Sequence, residues 1–185
     1  MARRLFPLLI LAAIAGMAYA QSGFQGFRFT SENEFIRPQE YRRWIFAGSS
    51  LGLVYEGEEQ ADGAERFHNV YINPAAYDAY AKTGEFPAGT VLMLEIMTAR
   101  EKTSILNGGR YEDQLVGLAA AVKAPDRFKE KWAYFSFTDP GKPFLEKAAA
   151  NKPEECWTCH KQHGADDNVF VQFYPTLRDA RGKGN

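Results

Sequence analysis

The residues best suited to chemistry stand together in the segment Cys156-Trp-Thr-Cys159-His160, which contains both cysteines of the chain. Two thiols three positions apart can each add to one vinyl group of a porphyrin, and the adjacent histidine then lies where it can bind the iron. The pattern therefore predicts one covalently attached haem c, with Cys156 and Cys159 as attachment points and His160 as the proximal iron ligand.

Two other kinds of site could use the same residues. A thiol–disulfide redox motif needs the two cysteines but not the histidine, and it usually accompanies a βαβ pattern. A zinc site needs four ligands, which Cys156, Cys159, His160 and His163 supply only if they crowd around one point. The complete five-residue pattern favours haem over both alternatives.

The opposite axial position of the iron decides what such a haem can do. A methionine or a second histidine there favours electron transfer, whereas an open position favours ligand binding or catalysis. Met93 shares one face of a predicted strand with Met97, which is typical of a core residue, and a lone strand histidine such as His68 is more often structural. His163 follows His160 too closely to reach the other side of the ring. We therefore expect an open, five-coordinate iron, with an electron carrier that uses Met93 or His68 as the alternative.

The N-terminal residues follow the three-part pattern of a secretory signal peptide. Residues 1–4 are positively charged, residues 5–15 are apolar, and Ala18-Tyr-Ala20 is a small-x-small cleavage signal. We expect cleavage after Ala20, a single domain over residues 21–185 and a periplasmic location. An uncleaved anchor is the alternative, although the apolar run is shorter than the ~20 residues that span a bilayer.

The composition of the chain excludes some partners. Its 22 Lys and Arg residues are balanced by 23 Asp and Glu residues, for a net charge of −1. Binding to nucleic-acid phosphates needs a basic excess on one face, so nucleic acid is not an expected partner. Beyond the signal segment no stretch is apolar enough to span a membrane, so no membrane association is expected after cleavage.

The elements that must position the motif are four strands with helices before, between and after them. β-forming residues, in part alternating, predict strands at residues 66–72, 90–98 and 131–138. The small, apolar residues 114–123 predict a further strand, with a helix as the alternative because of their alanines. Helices are expected at residues 38–51 and 144–151, and Asn73-Pro74 opens a short helix that ends at Gly84. The last three strands lack helical crossovers, and such strands are usually antiparallel. The expected fold class is therefore α+β, a mainly antiparallel sheet with flanking helices.

Several further segments, taken with the motif, resemble the cytochrome P-460 and cytochrome c′-beta family. Individually, only the haem motif is specific to a class of protein. The order and spacing of all the segments together, over residues 35–180, support the resemblance to this family. These segments are Tyr41-Arg-Arg-Trp44, Val70-Tyr-Ile-Asn-Pro74, Lys82-Thr-Gly-Glu-Phe86, Gly89-Thr-Val91, Gly117-Leu118, residues 132–137, residues 156–161 and Phe173-Tyr-Pro175. The resemblance implies a mainly β monohaem fold, usually homodimeric, in which His160 is proximal and the distal pocket faces the sheet.

The family has two known behaviours, which differ on the distal side of the haem. The P-460 members oxidise hydroxylamine and related nitrogen compounds, and they carry a haem–lysine cross-link and a distal carboxylate. The c′-beta members lack the cross-link, have an apolar distal pocket, and bind nitric oxide or carbon monoxide. By resemblance, counting from Gly89-Thr-Val91 places the lysine position on Leu94, and counting from Gly117-Leu118 places the carboxylate position on Ala119.

Both distal positions therefore resemble the c′-beta pattern. Leu94 and Ala119 cannot accept a proton, and Glu95 should face the opposite side of its strand. We expect a gas-binding haem protein whose pocket is walled by Leu94 and Ala119, with Phe46 and Phe67 as further candidates. A redox partner protein is also expected. The main alternative is a P-460-type enzyme that oxidises hydroxylamine or nitric oxide.

Overall fold

The computed structural model describes residues 27–54, 64–101, 107–141 and 144–183, so the predicted signal segment lies outside the described residues. In chain order the elements are β1 (Arg28–Phe29), β2 (Phe35–Ile36), a 3₁₀ turn (Tyr41–Arg43), β3 (Ile45–Leu51), β4 (Arg66–Ile72), α1 (Pro74–Thr83), β5 (Val91–Glu101), β6 (Arg110–Lys123), β7 (Trp132–Ser136), β8 (Lys147–Ala148), α2 (Trp157–His163), a second 3₁₀ turn (Val171–Phe173) and α3 (Pro175–Ala180). None of the helices in these ranges is long and apolar enough to cross a lipid bilayer.

Five strands form a large sheet in the order β3-β4-β5-β6-β7, and every neighbouring pair is antiparallel. Strands β1, β2 and β8 form a small antiparallel sheet. The strands of the large sheet lie side by side in the same order as in the chain, because each connection leads to the adjacent strand. This architecture confirms the expected α+β class.

All four predicted strands are present. Strand β4 has the predicted bounds, β5 and β7 overlap their predicted ranges, and β6 begins four residues before residue 114, the predicted start. The short helix α1 is also confirmed, and it ends where Gly84 adopts a left-handed conformation with φ of 76°. Glycine adopts this conformation without the steric cost that a Cβ would add.

Two predicted helices are wrong. Residues 38–51 form the 3₁₀ turn Tyr41–Arg43 followed by β3, because the residues after Trp44 pair with β4 instead of continuing a helix. A register shift between Phe46 and Gly48 breaks the regular alternation that would have indicated a strand. Residues 144–151 contain β8, which pairs with β2, and their described part contains no helix.

The large sheet buries two different faces, because alternate residues of a strand point to opposite sides. We call the side that carries Met93 and Leu118 the core face, and it packs against Phe35 of the small sheet. We call the side that carries Leu94 and Tyr134 the motif face, and it packs against α1, the start of α2 and the C-terminal segment. The two faces belong to two separate apolar clusters.

The side chain of Asn73 joins the start of α1 to β5. Asn73 occupies the N-cap position as predicted, but its side chain makes no capping hydrogen bond. Its Nδ2 donates instead to the carbonyl of Gly89 at 3.1 Å, and its Oδ1 accepts from the backbone N–H of Val91 at 2.8 Å. Since Asn73 is buried, these bonds satisfy its amide and fix where β5 begins.

Candidate functional site

The short helix α2 carries the Cys156–His160 motif. Cys156 stands at its N-cap position, and both cysteines are unpaired and half-buried. The side-chain amide of Asn151 donates to Cys156 Sγ at 3.3 Å, which holds the first sulfur beside β7. The indole N–H of Trp157 donates to the carbonyl of Glu130 at 3.3 Å, so the helix start is tied to the loop before β7.

The imidazole of His160 is fixed in orientation by three contacts. Its Nδ1 lies 2.9 Å from the carbonyl oxygen of Asn168, and its ring packs between Tyr134 and Phe170 with centroid distances of 4.3 and 4.4 Å. A carbonyl can only accept, so Nδ1 carries the proton and Nε2 keeps its lone pair. Burial lowers the pKa of His160, which favours the neutral form that binds metals.

The turn that presents the Asn168 carbonyl is anchored from both sides. Asp167 and Asn168 adopt left-handed conformations, with φ of 43° and 65°. The hydroxyl of Tyr80 donates to Asp166 Oδ2 at 2.9 Å, and Lys123 Nζ contacts Asp167 Oδ2 at 2.6 Å. Asp and Asn tolerate this backbone conformation better than most residues. The turn therefore acts as a rigid support for the His160 ring.

Gly164 allows this turn to approach α2 closely. A Cβ at residue 164 would lie 2.6 Å from the carbonyl oxygen of His160 and 2.7 Å from the carbonyl carbon of Asn168. Both neighbouring atoms belong to the backbone, so they have little freedom to move aside. Glycine is thus required for the distance between α2 and the Asn168 turn.

The motif face is only partly covered along β5 and β6. Leu94 pairs directly with Ala119 across the two strands and with Val70 on the other side. Leu94, Ala119 and the neighbouring Ala121 are half-buried, although Val70 is buried. We call the surface formed by Leu94, Ile96, Ala119 and Ala121 the open stretch. It runs from β7, which contacts His160, toward β4.

The core face opposite Leu94 holds a buried carboxylate. Glu95 is 2% exposed, and its Oε1 accepts from Tyr41 Oη and from Arg42 Nε, each at 2.5 Å. Burial and the hydrogen bond to Glu95 raise the pKa of Tyr41, so its hydroxyl remains a donor well into the alkaline range. Glu95 therefore faces away from Leu94, as expected from its position one residue further along the strand.

Two other sequence-predicted residues, Phe46 and Phe67, also lie on the core face. Phe46 contacts Tyr71 with a ring-centroid distance of 5.5 Å and is 47% exposed. Phe67 pairs in register with Met97 and shares one face of β4 with Asn69 and Tyr71. The expectation that Phe46 and Phe67 join Leu94 is corrected by this register, because a strand turns odd and even residues to opposite faces.

Met93 is fully buried within the core-face cluster. It is therefore separated from the motif by the sheet itself. An electron carrier with Met93 as sixth iron ligand does not agree with this position.

A family model described as Cytochrome P460 matches residues 38–171, more than half of the chain. The chain belongs to the Cytochrome P460 family. A comparison with curated proteins found no match. The matched range of the Cytochrome P460 model includes β3 to β8 and α2, so it covers both the large sheet and the Cys156–His160 motif. Membership in the Cytochrome P460 family implies haem binding.

The residues around α2 fit the haem that Cytochrome P460 membership implies. Cys156 and Cys159 are free thiols, and His160 retains an unoccupied Nε2. A cavity of about 220 Å³, whose lining includes Tyr134, Asn151 and Trp157 but neither cysteine nor His160, lies beside the start of α2. Among the described residues, no group of three or more His, Cys, Asp or Glu side chains is arranged to hold a metal ion.

The residues that orient His160 in this Cytochrome P460 chain could not be recognised from the sequence. Asn168 acts through its backbone carbonyl, which no side-chain motif reveals. Tyr134 and Phe170 were recognisable only as aromatic residues of a strand and a loop. The run of residues 166–168, Asp-Asp-Asn, does favour a tight turn. That signal could have located the turn, although not its contact with His160.

Proposed function

We propose that this member of the Cytochrome P460 family is an exported monohaem c-type cytochrome that binds nitric oxide and carbon monoxide at an open, apolar distal site. Cys156 and Cys159 are the covalent attachment points, and His160 is the proximal ligand. When bound, the haem supplies an iron atom that coordinates the gas. Leu94 and Ala119 wall the distal side.

The chemistry of α2 supports the proximal half of the proposal. Its two thiols are unpaired and partly exposed, so they are available for addition to a porphyrin. The Asn168 carbonyl holds His160 in the tautomer whose Nε2 can bind iron. Because Tyr134 and Phe170 pack against both sides of the ring, little conformational freedom remains to be lost when the ligand bond forms.

The direct pairing of Leu94 with Ala119 is the single observation that carries the distal half of the proposal. Neither side chain accepts a proton, and the adjacent carboxylate of Glu95 is buried behind the sheet with Tyr41 and Arg42. Apolar walls disfavour charged or strongly hydrated ligands, because such ligands lose their hydration without compensation. Neutral diatomic gases lose little hydration free energy when they enter such a site.

The family match favours hydroxylamine oxidation as a second candidate function, because the family includes such enzymes by the resemblance above. That reaction requires a group that accepts protons from the substrate nitrogen. Around Leu94, the register neighbours on the motif face are Val70 and Ala119, and neither is a carboxylate. The gas-binding function therefore agrees better with the distal surface.

Location and partners follow from the sequence patterns. We propose that the segment ending at Ala20 is a cleaved signal peptide and that the mature protein works in the periplasm. We also propose that it forms a homodimer and exchanges electrons with a redox partner protein. The mass of the mature protein and its elution on size exclusion test the cleavage site and the dimer.

Three measurements on the purified haem-loaded protein test the proposed function. Intact mass should equal the mature chain plus one haem, and a tryptic peptide containing Cys156 and Cys159 should retain that haem. The ferrous optical spectrum should change on addition of carbon monoxide. Hydroxylamine with an electron acceptor should give no turnover above free haem. A second haem-linked peptide from β5, or sustained hydroxylamine turnover, would overturn the proposal in favour of the enzyme.

A further inference from the structure

His68 lies on the motif face, beside the open stretch. Strand β4 pairs with β5 so that Val70 is opposite Leu94 and His68 is opposite Ile96. Val70 belongs to the motif-face cluster, and His68, two residues earlier in the same strand, points to the same side. Its imidazole is therefore a direct neighbour of Ile96 and a diagonal neighbour of Leu94, within reach of both.

The position of His68 relative to the haem motif is informative. His160 contacts β7 through Tyr134, whereas His68 stands on β4. The open stretch lies between these strands, and three strand spacings correspond to about 14 Å. The two histidines therefore bound the open stretch from opposite ends.

The imidazole of His68 makes no hydrogen bond or ion pair with any described residue, although it is half-buried. Burial lowers the pKa of His68, which keeps the ring neutral, with one N–H donor and one acceptor nitrogen. Neither ring nitrogen is fully buried, so both are open to water or to a bound ligand. His160, in contrast, has its Nδ1 bound to a carbonyl.

We propose that His68 donates a hydrogen bond to the outer atom of a diatomic ligand held in the open stretch. This inference rests on the proposed gas-binding function and specifies the ligand class. A hydrogen-bond donor favours ligands that carry negative charge on the outer atom, as dioxygen does when bound, over carbon monoxide, which carries little. His68 is thus a specificity-determining residue in an otherwise apolar site.

Two variants and one control test this role on the haem-loaded protein. His68→Phe keeps a flat ring and removes the donor, whereas His68→Gln keeps a donor of similar reach. His163→Gln removes an exposed histidine that lies outside the open stretch. The readouts are the C–O stretching frequency of the ferrous carbon monoxide complex and the rate of dioxygen dissociation.

Loss of one hydrogen bond should raise the C–O stretching frequency in His68→Phe and speed dioxygen dissociation roughly 5- to 30-fold. His68→Gln should lie between wild type and His68→Phe, and His163→Gln should match wild type. Unchanged values in both His68 variants would overturn the inference. A six-coordinate low-spin wild type that becomes high-spin in His68→Phe would also overturn it, because His68 would then bind the iron itself.

The same samples separate failure of this inference from failure of the proposed function. If wild type binds carbon monoxide and nitric oxide but neither His68 variant differs from it, only the role of His68 is wrong. If neither wild type nor any variant binds carbon monoxide or nitric oxide, the gas-binding function is wrong and the inference is overturned with it.

Discussion

The two faces of the large sheet differ most where β5 passes from Leu94 to Glu95. On the core face, the carboxylate of Glu95 is almost fully buried and is bonded to Tyr41 and Arg42. On the motif face, Leu94 pairs with Ala119, and the surface is apolar and only partly covered. One residue along a strand thus separates a packed ionic cluster from an open surface beside the haem motif.

The face of a strand on which a carboxylate lies, and not its proximity in sequence to other residues, decides what that carboxylate can do. A buried carboxylate needs charged or hydrogen-bonding partners, because its transfer from water is costly. Glu95 has found these partners on the core face. Glu95 therefore stabilises the fold and cannot act as a base on the motif face.

The largest effect is expected on removing His160, which we propose as the proximal iron ligand. His160→Ala should abolish the imidazole-ligated optical spectrum and alter the carbon monoxide complex, because no second described imidazole occupies its place between Tyr134 and Phe170. The control is His163→Ala, which removes an exposed histidine of the same helix. An unchanged spectrum in His160→Ala would contradict the assignment of the proximal ligand.

Much of the sheet was predictable, because the alternation in β4 and the β-formers in β5 and β7 agree with their final environment. The apparent helix over residues 38–51 failed for a physical reason: pairing with β4 overrides the local helical spacing. The part of the candidate site that could be predicted is the compact motif Cys156–His160. Its support by the Asn168 carbonyl depends on a tertiary contact that local patterns do not record.

The distal residues illustrate the same limit. The placement of Leu94 and Ala119 came from resemblance, and the register pairs them directly. Phe46 and Phe67 were chosen as aromatic residues near the same strands, but the face of each depends on pairing and on the register shift in β3. Residue type alone carries no information on that shift.

The next largest effect separates the two faces energetically. Glu95→Gln should lower the free energy of unfolding by about 1–3 kcal/mol, because Arg42 loses its charged partner and Tyr41 its strong acceptor. Urea unfolding measures this change. Gas affinity should stay within about twofold of wild type, because the cluster lies behind the sheet.

Glu40→Gln is the matched control for this variant. Glu40 pairs with Arg43 on the surface, where both side chains are more than two-thirds exposed, so its removal should cost less than about 1 kcal/mol. A large loss of gas affinity in Glu95→Gln with little change in stability would show that the carboxylate serves the motif face after all.

A smaller effect concerns the two buried tyrosines that donate to carboxylates, Tyr41 to Glu95 and Tyr80 to Asp166. Burial and the bond to Asp166 raise the pKa of Tyr80 to about 12. The unfolded chain loses this proton near pH 10, before the folded protein does, so the free energy of unfolding should fall between about pH 10 and pH 12.

Tyr80→Phe should make this alkaline fall shallower and lower stability at pH 8 by about 1 kcal/mol through loss of the Asp166 bond. Unfolding by urea at several pH values provides the measurement, with Tyr111→Phe on β6 as the control. If Tyr80→Phe and wild type lose stability in parallel above pH 10, the coupling of Tyr80 to the Asn168 turn is not as described.

The smallest effect is expected for a single substitution that should add no hydroxylamine turnover. Leu94→Lys places an amine on the motif face but leaves Ala119 opposite it, so hydroxylamine turnover should remain at background because the distal carboxylate is still missing. Only the double variant Leu94→Lys with Ala119→Glu supplies both groups, and we expect turnover to rise there. Sustained turnover in Leu94→Lys alone would contradict the importance of the missing carboxylate.

We propose that the motif face provides an open, apolar distal site for a neutral gas. Titration of the ferrous haem-loaded protein with nitric oxide, followed by optical and electron paramagnetic resonance spectra, tests it most directly. We predict a stoichiometric nitrosyl complex with one nitric oxide per haem and no turnover product. A ferrous spectrum that nitric oxide leaves unchanged, or oxidation of hydroxylamine by the same sample, would contradict the claim.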